Sequence, residues 1–157
     1  MTVVDHPRRE AAELNLRIRG AFEGHGCWKA ECLLEDLLVL EFGERGTFEG
    51  NNGPVTLGKL RVSVQVAPWF IEQNGRIVLT SDNVEEGISE PLDALLLGRE
   101  FQRIDWAHHC GLIFSDGIVL RCDRSGGYEG DCSHIVELRF DFDEFVDCLA
   151  DGAIEFE

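Results

Sequence analysis

Two stretches, NGRIVLTSD (74–82) and FSDGIVLRCD (114–123), set Asn-Gly or Asp-Gly ahead of Ile-Val-Leu, with an Asp three residues on, about forty residues apart. Asn-Gly and Asp-Gly supply the positive φ angles of a tight hairpin, so Ile-Val-Leu reads as the return strand in both. The match extends backwards, because LGKLRVSVQVA (57–67) stands forty residues before LGREFQRIDWA (97–107). Residues 57–82 and 97–123 therefore read as two copies of one three-stranded antiparallel unit. In the first copy Leu60, Val62, Val64 and Val66 alternate with Arg61, Ser63 and Gln65, the period of a strand with one wet face. Ala67-Pro68 interrupts that strand, since proline cannot donate to a ladder. Asp82 and Asp123 close the units as loop or capping residues.

The stretch between the copies, SDNVEEGISEPLDALLLG, predicts a short helix. Ser89 suits the N-cap, Glu90 and Pro91 the first turn, Leu92, Leu95 and Leu96 one face, and Gly98 the stop. HIVELRF (134–140) reads as a strand, and DFDEFVDCLADG (141–152) as a final amphipathic helix with Phe145, Val146 and Leu149 inward. LNLRIRG (14–20) alternates as a strand, KAECLLEDLL (29–38) fits a helix, and LLVLEF (37–42) fits a continuation of it or a strand. Four glycines, two asparagines and a proline make 45–58 a loop. The expected fold is a single α+β domain over 1–157. Its largely antiparallel sheet, a sandwich or partly closed barrel, comes from the two similar units in pseudo-twofold packing, with two or three short helices.

The chain has 157 residues, enough for one core and few for two. Its 44% hydrophobic content and ten phenylalanines are those of a folded protein. The net charge of −16 is lopsided: residues 1–78 hold 11 acids and 9 bases, residues 79–157 hold 19 and 5. Seven acids and no base lie from Asp141 onward. Such a field repels phosphate backbones and anionic lipid, which argues against nucleic acid and membrane as partners and favours a basic protein, unless the charge serves solubility alone. No apolar run reaches the ~18 residues of a membrane span, and MTVVDHPRRE lacks the order of a secretory signal, so a cytoplasmic location is expected. The six cysteines are then expected to be reduced thiols, several of them buried.

Four groups of residues invite chemical readings. His25, Cys27, Cys32, Cys132 and His134 have the softness of zinc ligands, but a Cys-x4-Cys without a matching second pair is a poor zinc spacing, and buried or surface thiols fit better. His108, His109 and Cys110 could line a pocket, yet neighbours on a strand point to opposite faces, so a His-activated thiol does not follow. Tyr128 and Glu129 sit in a glycine-rich loop that has no phosphate-binding spacing and suits an interface anchor instead. Asp141, Asp143, Glu144 and Asp147 resemble a calcium loop but lack its Gly and distal Glu; they read as a solvated acidic surface. No metal or cofactor is expected.

The segment LDALLLGREFQRIDWAHHCGLIFSDGIVLRCD (92–123) resembles small bacterial domains of unknown function, some of them close to immunity proteins of bacterial toxin systems. The resemblance covers about a third of the chain and implies no functional residues. The preferred reading is a non-enzymatic binding module whose acidic half engages a basic partner, toxin neutralisation being one concrete form. The alternative is a small enzyme or ligand-binding domain with a pocket between the two units, near His108, His109 and Cys110. Edge strands and two similar units also favour a homodimer.

Overall fold

The computed structural model describes residues 5–33, 37–65, 69–84, 90–106, 110–122, 134–142, 144–149 and 154–156. Helix α1 (Asp5–Phe22) is followed by β1 (Cys27–Cys32), β2 (Leu38–Gly50), β3 (Gly53–Val64), β4 (Trp69–Gln73) and β5 (Arg76–Thr80). Then come α2 (Glu90–Leu96), β6 (Phe101–Trp106), β7 (Cys110–Phe114), β8 (Ile118–Cys122), β9 (His134–Asp141), β10 (Glu144–Leu149) and β11 (Ile154–Phe156). The strands form two open antiparallel sheets, ordered β1-β2-β3-β9-β10-β11 and β5-β4-β8-β7-β6. The fold is α+β and mostly sheet.

Strand register explains how one core serves both sheets. Ala30, Leu40, Val62, Leu138 and Val146 are cross-strand neighbours in the first sheet, and Leu79, Ile71, Leu120, Leu112 and Ile104 in the second. Both rows are buried in the same cluster. Alternation delivers one apolar face per sheet, and the two faces cover each other. The sheets meet at one corner, where the Cys27 N–H donates to the Arg99 carbonyl at 2.8 Å and Gly98 N–H to the Cys27 carbonyl at 2.8 Å. A Cβ on Gly26 would stand 3.0 Å from the Gly98 carbonyl oxygen there, so a larger residue would have to push the Gly98 backbone back by a few tenths of an ångström.

The two hairpins form as expected. Asn74 and Gly75 have φ of 53° and 85°, Asp116 and Gly117 of 61° and 79°, and the turns touch through the Asn74 N–H and the Gly117 carbonyl at 3.0 Å. The larger unit departs from expectation. The order β5-β4-β8-β7 sets the hairpins side by side by translation, not about a twofold, and the preceding strands part company: β3 enters the first sheet and β6 the second. Helix α2 ends as read, with Leu92 and Leu96 buried and Gly98 at φ 84°.

Four other expectations are corrected. Residues 14–20 belong to α1, because Leu14, Ile18 and Phe22 recur every four residues and are fully buried while Leu16 is 72% exposed. KAEC lies in β1, not in a helix, and its continuation at 34–36 is outside the described residues. DFDEFVDCLADG contributes β10, where Val146 and Cys148 face the core. Residues 45–58 are not a loop: they continue β2 and β3 as a paired ribbon. The Ala67-Pro68 break, Ser89 and Asp123 lie outside the described residues.

Candidate functional site

Beyond Phe42, β2 and β3 leave the sheet as an arm. The register shifts between Phe42 and Arg45, Gly43 takes φ 73°, and every residue from Thr47 to Thr56 except Gly53 is exposed. A bulge with a glycine at positive φ increases local twist, which turns the ribbon away from its sheet. Its root is fastened twice. Trp28 donates its indole N–H to the Gly43 carbonyl at 3.1 Å, and the Arg45 guanidinium lies 4.3 Å from the Trp28 ring. On the other side Phe142, from the β9–β10 turn, packs over Gly46 so tightly that a Cβ there would stand 2.8 Å from its ring. Phe48 meets Phe142 with centroids 5.0 Å apart, and Phe48 pairs across the arm with Val55, each 41% exposed.

Charge surrounds this apolar ridge. Asp141 and Glu144 flank Phe142 in the turn, both exposed, and the arm carries exposed Glu44 and Glu49. The Asp141 carboxylate accepts the backbone N–H of Phe142 at 2.7 Å, a local bond within the turn. Glu144 is held by Arg17 of α1 at 2.7 Å, an exposed pair whose value is orientation more than energy.

Beneath the arm a buried ionic network joins three strands. Glu41 of β2 accepts three bonds from Arg61 of β3 (2.6 and 3.1 Å to one oxygen, 3.2 Å to the other), one from the Gly58 N–H at 3.1 Å, and one from Arg139 of β9 at 3.2 Å. Arg139 also donates to the Gly58 carbonyl, while its buried Nε has no partner. Burial, and then neighbouring Arg61, pull the Arg139 guanidinium below its ordinary pKa, with Glu41 and Glu137 opposing. A Cβ on Gly58 would lie 2.5 Å from the Phe42 carbonyl oxygen, so this position admits only glycine. The network fixes the strands that carry the arm and the turn, and Arg139 reaches within 5.9 Å of the Phe142 ring centroid.

Of the residues singled out in the sequence, Asp141 and Glu144 stand together here. Asp147 is buried on the far side of the β10 pleat from Val146 and Cys148 and offers no exposed carboxylate. Tyr128, Glu129, Asp143, His108, His109 and Cys132 lie outside the described residues. Cys110 is fully buried opposite Cys122 in the β7–β8 register, inside the core rather than at a pocket mouth. Cys27 and Cys32 are buried on β1, His25 is exposed, and the backbone of His134 is in β9, three strands and roughly 14 Å from β1. Among the described residues no group of three His, Cys, Asp or Glu is placed to hold a metal ion. No described helix is long and apolar enough to cross a bilayer. Sequence reasoning missed Phe48, Phe142 and Gly46; the signal was the near-mirror pattern Thr-Phe and Val-Thr about GNNG (50–53), a hairpin cue.

The chain matches no protein-family model, no curated protein and no solved structure.

The five described cysteines are thiols. Burial pushes Cys27 up to about 12 from 9.0 and raises Cys122 and Cys148 too, each with Cys110 adding. Thiols that ionise near 9 when unfolded but stay neutral when folded leave stability intact below pH 9 and remove it as pH rises toward 12. From pH 8 to 10 the three thiols are expected to cost roughly 4 kcal/mol, read from urea midpoints, and Cys27→Ala should reduce that slope by about a third. A stability that stays flat over this range in both proteins would show that these thiols are not sealed from water.

Proposed function

We propose that this protein is a non-catalytic binding module that presents the β2–β3 arm and the acidic β9–β10 turn to a basic protein partner. The observation that carries the reading is the pair Phe48 and Phe142, in contact at the root of an exposed arm and flanked by the exposed carboxylates of Asp141 and Glu144. An aromatic centre within a charged rim is how protein interfaces divide their labour: the ring supplies affinity on desolvation, the carboxylates supply encounter rate and register. The excess of acids over bases in residues 79–157 extends the attraction beyond contact range. Neutralisation of a basic toxin is one concrete form of such a partnership, and the resemblance of residues 92–123 to immunity-like domains points the same way.

The test is affinity capture from native lysate by wild-type protein and by two variants, Phe48→Ala and Asp141→Asn/Glu144→Gln, each at about 50 mM and about 500 mM salt. A stoichiometric basic partner held at low salt and released at high salt is expected. Phe48→Ala should weaken it about thirtyfold, the effect of losing a central aromatic anchor, and the acid variant should chiefly slow association. Capture that ignores salt and survives both variants would place the interface elsewhere or remove it.

A further inference from the structure

One flank of α1 is tied to the fold by a single side chain. Ala12, Asn15, Leu16 and Arg19 recur at the i, i+3, i+4, i+7 spacing of a single helix face, beside the inward stripe of Leu14, Ile18 and Phe22. Asn15 fastens this face to the edge of β6, donating from Nδ2 to the Ile104 carbonyl at 3.0 Å and accepting the Ile104 N–H at 2.8 Å. Next to that clamp, helix and strand diverge around a groove of two lobes. The outer lobe, about 470 Å³, is lined by Ala12, Asn15, Leu16, Arg19, Gln102 and Arg103. The inner, about 440 Å³, shares Arg19, Gln102 and Arg103 and adds Glu23 and Glu100. Each is in the size range of small-molecule sites.

Two observations separate the outer lobe from an ordinary surface crease. The β6–β7 register slips between Phe101 and Arg103, and this bulge lets the consecutive residues Gln102 and Arg103 both line the groove, where a regular strand would turn them to opposite faces. The second is the state of the arginines. Among the described side chains, Arg17, Arg61, Arg99, Arg121 and Arg139 are in ion pairs and Arg45 lies on Trp28, whereas Arg19, Arg76 and Arg103 have neither an ion pair nor a ring contact. In a chain of net charge −16, two of the three unengaged arginines border one lobe that contains no carboxylate. The same lobe is lined by Leu16, the most exposed large hydrophobic side chain among the described residues.

We infer that the outer lobe binds a small carboxylic acid with an apolar body, its carboxylate on Arg19 and Arg103 and its hydrocarbon part along Leu16 and Ala12. A planar carboxylate matches the guanidinium fork, and an apolar tail covers the leucine that the fold leaves in water. This site is independent of the arm and of the partner proposed for it.

The experiment titrates the ¹⁵N-labelled full chain with sodium hexanoate, with 1-hexanol, and with sodium chloride at matched ionic strength, following amide shifts by NMR. Saturable shifts confined to Leu16, Arg19, Gln102 and Arg103 and their neighbours are expected with hexanoate, with hexanol at least about tenfold weaker. Arg19→Gln/Arg103→Gln should weaken hexanoate at least about tenfold, and each single variant at least about threefold, while Arg76→Gln, the same loss of one charge as either single variant but at a remote site, should leave it within about twofold. These substitutions are of exposed side chains, and unchanged shifts elsewhere in the spectrum verify the fold. Shifts that do not saturate, that chloride reproduces, that hexanol matches, or that the double variant leaves in place would overturn the inference.

Discussion

Replacing Glu41 with alanine is expected to lower the unfolding free energy by about 3–5 kcal/mol, a large part of what a domain this size holds. Glu41 is almost wholly buried and receives bonds from Arg61, Arg139 and the Gly58 N–H. Its removal leaves Arg139 as a buried cation whose Nε already lacks a partner, while Arg61, whose side chain is 22% exposed, can turn to water. The cost therefore comes from the stranded charge more than from the lost pair. The compensated variant Glu41→Leu/Arg139→Met separates the two: removing both charges should bring stability back to within about 1–2 kcal/mol of wild type. Chemical denaturation of the three proteins decides the matter. A loss below about 1 kcal/mol for Glu41→Ala would mean that water reaches the network and that it does not brace the arm.

The second large effect is expected at Phe22→Ala, about 3–5 kcal/mol. Phe22 is fully buried at the end of α1 and meets three rings edge-on: Phe42 of β2 and Phe101 of β6 at 5.2 Å, and Phe140 of β9 at 5.9 Å. One side chain thus ties the helix to both sheets, and its truncation opens a cavity lined by rigid aromatics that cannot collapse to fill it. Phe22→Leu, which keeps most of the volume, should cost less than half as much. Hydrogen exchange adds a local reading: the Ile104 amide, which donates to Asn15, should lose protection in Phe22→Ala in step with global stability. Equal costs for alanine and leucine would show that the rings and not the volume carry the contact.

Local chemistry determined the parts of this fold that depend on a few neighbouring residues. Asn74-Gly75 and Asp116-Gly117 turn because those residues tolerate positive φ, and α2 stops at Gly98 for the same reason. Leu60, Val62 and Val64 face the core because alternation leaves a strand no other apolar face. The sequence by itself also determined the acidity of the second half and the exposed pair Asp141 and Glu144.

Tertiary structure decided the rest, and the reason is that short apolar patterns satisfy two periods at once. Leu14, Leu16 and Ile18 alternate as a strand would, yet only the packing of Leu14, Ile18 and Phe22 against two sheets selects the helix and leaves Leu16 in water. Phe145, Val146 and Leu149 fit a helix face until β9 offers its edge, and the strand period then sends Val146 and Cys148 to the core and Asp147 to the opposite face, where it too is buried. The likeness between 57–82 and 97–123 records two hairpins, but β3 finds a longer partner in β2 than β4 could provide, so the third strands diverge. Phe48 and Phe142 are 94 residues apart, and Glu41 and Arg139 are 98; contacts at that distance exist only once strand order and register are settled. Both the ridge of the proposed interface and the brace beneath it are therefore properties of the assembled sheet, because side chains from β2 and β9 become neighbours only through β3 between them.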